Sequence, residues 1–216
     1  MDNQAERYLR IRDLVTDLTK EIHEISDINE RIDTVNHVRM MIHEVSPFKH
    51  HPVDFVEWRK IETIKGNDYN PNKVAPPEYK LLKKSIEEDG FRMPCPTFPK
   101  SEGITEIVDG FHRSSMLKFS TKINDSTLGR LPITYIRKSQ ESKGNRIAST
   151  IRHNRARGEH NLKLMQNIIK ELVDAGMSDA WILKHIGMDA DELLRLKQLS
   201  GLAELFKNKE FSNSWT

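Results

Sequence analysis

A single cysteine, Cys95, occurs in the 216 residues. One thiol excludes an internal disulfide framework and any zinc site of the CxxC kind. No apolar run approaches the roughly 18 residues of a membrane-spanning helix. The opening MDNQAERYLR carries no apolar stretch of the secretory-signal kind, so a soluble, cytoplasmic protein without a membrane partner is expected. Neither charge sign is in large excess: 34 Lys+Arg against 32 Asp+Glu leave a formal net charge of +2. That excludes a uniformly basic, histone-like chain and leaves room for a local basic patch. Hydrophobic residues make up 37% and the mean hydropathy is −0.64, which predicts exposed helix around a modest core. No repeat or low-complexity tract is visible.

Three zones differ in texture. Residues 1–46 lack Pro and Gly. Tyr8, Ile11, Val15, Leu18, Ile22 and Ile25 follow a 3-4-3-4-3 spacing, an a/d seam. Ile28, Ile32 and Val35 continue in a shifted phase. Asp27 with Glu30 has the form of a helix N-cap, so the zone is either one helix with a stutter or two helices broken near Ser26–Asp27. The stripes pack on the chain's own core or form a dimerising arm, since so polar a helix needs a partner. Residues 52–140 mix strand and helix signals. Strands are expected at 55–58, 61–64, 105–108 and 131–137, with helices at 78–89 and 113–118. Two prolines make 91–98 an extended or edge segment rather than a central strand. Residues 146–216 read as helical: 147–152, 162–175, 178–186, 189–199 and Ala203–Phe206. Ser178 is an N-cap, and Gly176 and Gly187 close helices.

Chemistry concentrates in two stretches. In Ile107-Val108-Asp109-Gly110-Phe111-His112-Arg113-Ser114-Ser115, a strand ends in a glycine turn and a helix begins. First-turn N–H groups and the helix dipole favour an anion there. Arg113 adds a planar cation, and Ser114 and Ser115 add hydroxyls. The alternative is an ordinary strand–turn–helix corner. The second stretch, Arg137 to Lys163, holds eight Lys/Arg and two acids, Glu141 and Glu159. It faces a negative ligand, a nucleic-acid backbone or water. His153 and His160 stand seven apart, too loose to specify a metal, and His50–His51 reads as a solvated pair, so no metal site is expected. Cys95 between prolines reads as a small semi-buried thiol. Residues 178–199 have helix–turn–helix lengths, but Asp189, Asp191 and Glu192 at the start of the second helix oppose phosphates.

Together these residues resemble the ParB/sulfiredoxin superfamily. "NDYNPN", "LLKKSIEEDGFRMPCPTF", "EIVDGFHRSSMLK" and "ASTIRHNRARGEHN" are similar to ParB motifs in order. "NDYNPNKVAPPE", "VDGFHR", "IASTIRHNRARGEH" and "LRLKQLSGLAELF" resemble the IbrB-like co-activators of prophage gene expression, over roughly residues 30–216. The resemblance implies an α+β, ParB/sulfiredoxin-like nucleotide-binding domain. A helical arm precedes it, and an all-α, helix–turn–helix-like domain follows. It implies that Gly110, Phe111, His112, Arg113, Ser114 and Ser115 hold phosphates, with Asn154 and Arg157 as the second phosphate motif. Met93 and Pro94 would line the base.

Three departures qualify this. Phe111 stands where sulfiredoxin has its reactive cysteine, so sulfinic acid reduction is not expected. His153 replaces a metal-side Glu, and Met93–Pro94 replaces Gln–Pro. The expected ligand is a nucleoside triphosphate, ATP favoured over CTP, with Mg²⁺ an admissible companion. Three functions follow: a nucleotide-gated, DNA-associated switch; an ATP-hydrolysing or phosphotransfer enzyme using Asp109 and His112; or a scaffold for nucleic acid or a phosphoadenosine-phosphosulfate-reductase-like (IbrA-like) partner. Homo-oligomerisation through the arm is expected in each.

Overall fold

The computed structural model describes residues 2–66, 76–101, 103–155 and 162–199. The N-terminal zone is two helices, α1 (Asp2–Glu24) and α2 (Ile28–Val45). The break falls at Asp27, whose backbone is extended and whose carboxylate accepts from the Glu30 N–H at 2.8 Å. Two helices rather than one stuttered helix result because this cap offers the second helix its own start. On α1, Tyr8, Ile11, Val15 and Leu18 are exposed, while Ile22 and Ile25 are half-buried near the joint with α2.

Of the expected arm, α2 is fastened to the sheet. Asn36 is buried; its amide donates to the Trp58 carbonyl at 2.9 Å and accepts from the Trp58 N–H at 3.1 Å. That side chain satisfies an edge strand that would otherwise present bare backbone. The buried Arg130 guanidinium adds bonds to Asp33 at 2.6 Å and Asn29 at 3.1 Å.

Five strands follow: β1 (Glu57–Lys60), β2 (Ile64–Lys65), β3 (Cys95–Ser101), β4 (Ile104–Ile107) and β5 (Arg130–Tyr135). Their order is β1-β5-β3-β4-β2. The β1/β5 and β3/β4 pairs are antiparallel; β3/β5 and β2/β4 are parallel. The expected strand at 61–64 is mostly a 3-10 turn, Ile61–Thr63.

The segment expected at an edge is instead the central strand, β3. Its prolines survive there because each turns its missing N–H where no ladder bond is due. Pro96 faces β4, and its carbonyl accepts from Val108 N at 2.8 Å, past the last residue of β4. Thr97 faces β5 and accepts from Ile136 N at 2.9 Å. By alternation Pro99 faces the β5 side, beyond Thr97↔Tyr135, where that pairing ends. A register shift between Pro99 and Ser101 closes the strand.

One face of the sheet is covered by α3 (Pro76–Asp89), α4 (Phe111–Phe119) and α5 (Thr121–Ser126). Ile86, Met116, Leu117 and Ile123 bury there against Cys95, Ile107, Leu131 and Ile133. The short helix α5 was not expected, because one buried residue, Ile123, gives no period to read. On the other face α6 (Lys143–Arg155) lays Arg146 over the Phe98 ring at 3.8 Å. Then come α7 (Leu162–Asp174), α8 (Asp179–Ile182) running into a π-helical turn at Leu183–Gly187, and α9 (Ala190–Leu199). These bury a second core. Met165, Ile168, Ile169 and Leu172 form the inward stripe of α7, at the spacing an amphipathic helix requires. Ser178 caps α8 by accepting from Trp181 N. The expected helix Ala203–Phe206 lies outside the described residues. No helix among the described residues is long and apolar enough to cross a membrane.

Candidate functional site

The turn between β4 and α4 is built around Gly110. Its φ is +94°, in the left-handed region, and it is the N-cap of α4 with no side-chain bond of its own. A Cβ there would lie 2.6 Å from Cys95 Sγ and 2.9 Å from an Arg113 amino nitrogen. Glycine is therefore needed for both backbone conformation and space. The helix begins at Phe111, two residues before the expected start. The N–H groups of Phe111, His112 and Arg113 thus form its first turn.

Side chains frame that turn. Asp109 accepts from Gly110 N at 2.7 Å, and its other oxygen stands 3.7 Å from Arg113. Arg113 donates from one nitrogen to the carbonyls of Met93 at 2.9 Å and Pro94 at 3.0 Å. The segment expected to line a base is thereby tied to the turn expected to hold phosphates, across about twenty residues of sequence. Phe111 is partly exposed and stands edge-on to His112, with ring centroids 5.6 Å apart. Ser114 and Ser115 donate to the carbonyls of Phe111 and His112, both at 2.8 Å, so their hydroxyls serve the helix's own first turn. This back-bonding is a common habit of Ser within helices. Cys95, level with the turn, is buried, and burial pushes its thiol up to about 11 despite the nearby Arg113. A protonated, inaccessible thiol is no nucleophile.

The second motif is only partly described. Position 154 lies near the end of α6, one helical turn beyond Thr150, and Arg157 lies outside the described residues. Thr150 contributes a contact that no sequence argument assigned it. It donates to the Val108 carbonyl at 2.8 Å, fixing α6 to the end of β4 next to the glycine turn. Arg146 stands 3.9 Å from the buried Glu106, which also pairs with Lys100. The signal for Thr150 was its place in IASTIRHN, one turn before Asn154, but nothing local names Val108 as its partner.

Among the described residues, two exposed or half-exposed cations of the basic strip have partners within the chain. Lys143 pairs with Glu171 at 3.5 Å, and Arg152 donates to the His185 carbonyl at 2.9 Å. No group of three His, Cys, Asp or Glu among the described residues could hold a metal. In the C-terminal helices Asp189 caps α9 by accepting from Glu192 N at 2.7 Å, and Arg195 is exposed farther along.

Comparison with known proteins gives several likenesses. The model of the IbrB-like C-terminal HTH domain matches residues 160–208. YbdM of Escherichia coli (strain K12) is 47% identical over 203 residues, which is 94% of this chain and 95% of that protein. Among solved structures, the C-terminally truncated chromosome-partitioning protein ParB from Caulobacter crescentus complexed with CTP-gamma-S is 17% identical, with a TM-score of 0.39. The match covers 71% of this chain and 87% of that one. The same ParB complexed to the centromeric parS site is 16% identical, with a TM-score of 0.43, over 70% and 76% of the two chains.

Proposed function

The chain belongs to the IbrB-like family, and from that premise we propose that it is a DNA-associated regulatory protein whose state is set by a nucleotide at the β4–α4 turn. One observation carries the reading: Gly110, with no room for a side chain, opens a helix start that Arg113 ties to Met93 and Pro94. Phosphate oxygens accept from such N–H groups and are favoured by the dipole. Arg113 holds the base-side segment in place, and Met93 is exposed enough to meet a base. The ligand is a nucleoside triphosphate, ATP before CTP. Mg²⁺ ordinarily uses one or two carboxylates plus phosphate oxygens. Asp109 is the carboxylate at the turn, with one oxygen on Gly110 N and the other facing Arg113, so a Mg²⁺ ion there would be held mainly by phosphate oxygens.

The DNA-reading part is the helix–turn–helix of residues 178–199. Thr150 is the element through which a ligand at the turn reaches it, since its hydroxyl joins Val108 to α6. The α1 seam joins two copies. An IbrA-like partner follows from family membership alone.

The test is titration calorimetry of the full chain with ATP and CTP, with and without Mg²⁺, on wild type and Arg113→Ala. Saturable binding that weakens at least tenfold in the variant, with an unchanged circular dichroism spectrum, is expected. Equal affinity in the two proteins would remove the cradle from the account. Asp109 and His112 side by side at the helix start also suit hydrolysis or phosphotransfer. Mg²⁺-dependent ADP release lost in Asp109→Asn favours that second reading; nucleotide recovered intact favours the switch.

A further inference from the structure

A second cationic site lies away from the glycine turn. The loop after α2 brings Lys49, His50 and His51 against Arg137 and Lys138, which follow β5. Together they line a cavity of about 590 Å³, within the range of small-molecule pockets, which is roughly 300–1,000 Å³. Arg137 Nε donates to the His50 carbonyl at 2.8 Å and holds the two segments together over 87 residues of sequence. Among the described residues that line it there is no carboxylate. Two carboxylates bonded to its wall are engaged: Asp54 by His43 at 2.5 Å and Ser46 at 2.8 Å, and Glu57 by the Tyr135 hydroxyl at 2.5 Å.

The wall is rigid. His43, Phe55 and Tyr135 form a stacked series with centroids 5.6 and 6.4 Å apart. Tyr135 is further fixed by donating to Glu57 at 2.5 Å and accepting from Arg59 at 3.0 Å. Of the described cations of α6, Lys143 pairs with Glu171, Arg146 stands by Glu106, and Arg152 donates to the His185 carbonyl. Arg137 and Lys138, at the start of the same strip, are exposed and meet a third firm cation and two imidazoles from elsewhere. Cations gathered on one concave surface raise the local positive potential, which favours a multiply charged anion.

We propose that this pocket binds a small molecule carrying two or more phosphate groups. Three firm cations from two segments exceed what a single phosphate requires, and their convergence on one open depression suits a compact polyanion. The pocket shares no residue with the β4–α4 turn, so the inference stands apart from the nucleotide reading.

The probe is inorganic pyrophosphate, titrated into the full chain as wild type, as Lys49→Ala/Lys138→Ala and as Arg113→Ala. Both lysines are exposed, so the double variant keeps its fold. Saturable binding in wild type, weakened at least tenfold in the double variant and retained in Arg113→Ala, is expected. No saturable binding in wild type, equal affinity in the double variant, or loss in Arg113→Ala alone would each overturn the site. A 20-base-pair duplex provides the last arm. If it binds through the same two lysines and displaces pyrophosphate, the surface is a nucleic-acid contact and the small-molecule assignment falls.

Discussion

Gly110 and Cys95 touch through space where the sequence shows only two residues fifteen apart. For Gly110→Ala the left-handed backbone alone costs about 1–2 kcal/mol, and the 2.6 Å approach to Cys95 adds a clash. The variant should melt several degrees lower than wild type; an unchanged melting temperature would contradict the geometry. Cys95 makes a separate prediction. Burial raises its thiol from 9.0 to about 11. Below pH 9 both folded and unfolded chains keep the proton, and this contribution to stability is complete. Between about pH 9 and 11 the unfolded chain releases the proton while the folded one holds it, so stability falls, by roughly 2–3 kcal/mol at the upper end. Tyr135, raised to about 12 by burial and then by its bond to Glu57, extends the loss. Urea midpoints at pH 8 and pH 10.5 should therefore differ more for wild type than for Cys95→Ala, and equal differences would contradict the assignment. The strand–glycine–helix corner was legible because it is contiguous: a strand, a glycine and a cation in one short run. Arg113's bonds to Met93 and Pro94, and the thiol against the turn, depend on how the sheet folds, and no local spacing records them.

Helix α1 shows what periodicity reveals and what it leaves open. The 3-4 spacing defined the seam, and the break at Asp27 was legible as a cap. That α2 would dock was not, because its anchors are the polar Asn36 and the distant Arg130 rather than an apolar stripe. The exposed part of the seam, Tyr8 to Leu18, is a four-position interface suited to a second copy. In the same heptad frame a parallel pair would set Arg7 against Arg12 of the other copy. An antiparallel pair centred near residue 13 sets Arg7 against Glu21 instead, and brings Leu14 to Leu14. Sedimentation should give a dimer for wild type and a monomer for Ile11→Lys/Val15→Lys, with the melting temperature of the sheet domain little changed. A dimer that persists in the variant would move the interface elsewhere. Strand β3 taught the opposite lesson. The prolines of 91–98 argued against a central position, yet Pro94 lies just before β3 and Pro96 faces β4 past its last residue, a register detail that composition cannot carry.

Two cores, one between the sheet and α3 to α5 and one among α6 to α9, lie on either side of the sheet, and α6 joins the second to it. The helical core was readable from the stripe of α7 and from its caps and glycines. The seam between the cores was not, since it consists of a Thr hydroxyl on a carbonyl and an Arg over a ring. Thr150 is the more specific of the two links, because Val108 immediately precedes the Asp109–Gly110 turn. Replacing Thr150 by Val keeps the shape and removes one buried donor, leaving the Val108 carbonyl without that bond at a cost of about 1–3 kcal/mol. A domain that remains folded should still bind nucleotide, because none of the turn's own donors has changed. What should be lost is the influence of nucleotide on DNA affinity, which by linkage requires that the ligand distinguish two arrangements of the parts. The measurement is fluorescence anisotropy of a labelled duplex at fixed salt, with and without saturating nucleotide, since affinities for DNA have meaning only at stated ionic strength. Wild type should show at least a fivefold change on adding nucleotide and Thr150→Val less than twofold. If the variant responds as fully as wild type, the signal does not pass through the Val108 carbonyl, and α6 is only a support.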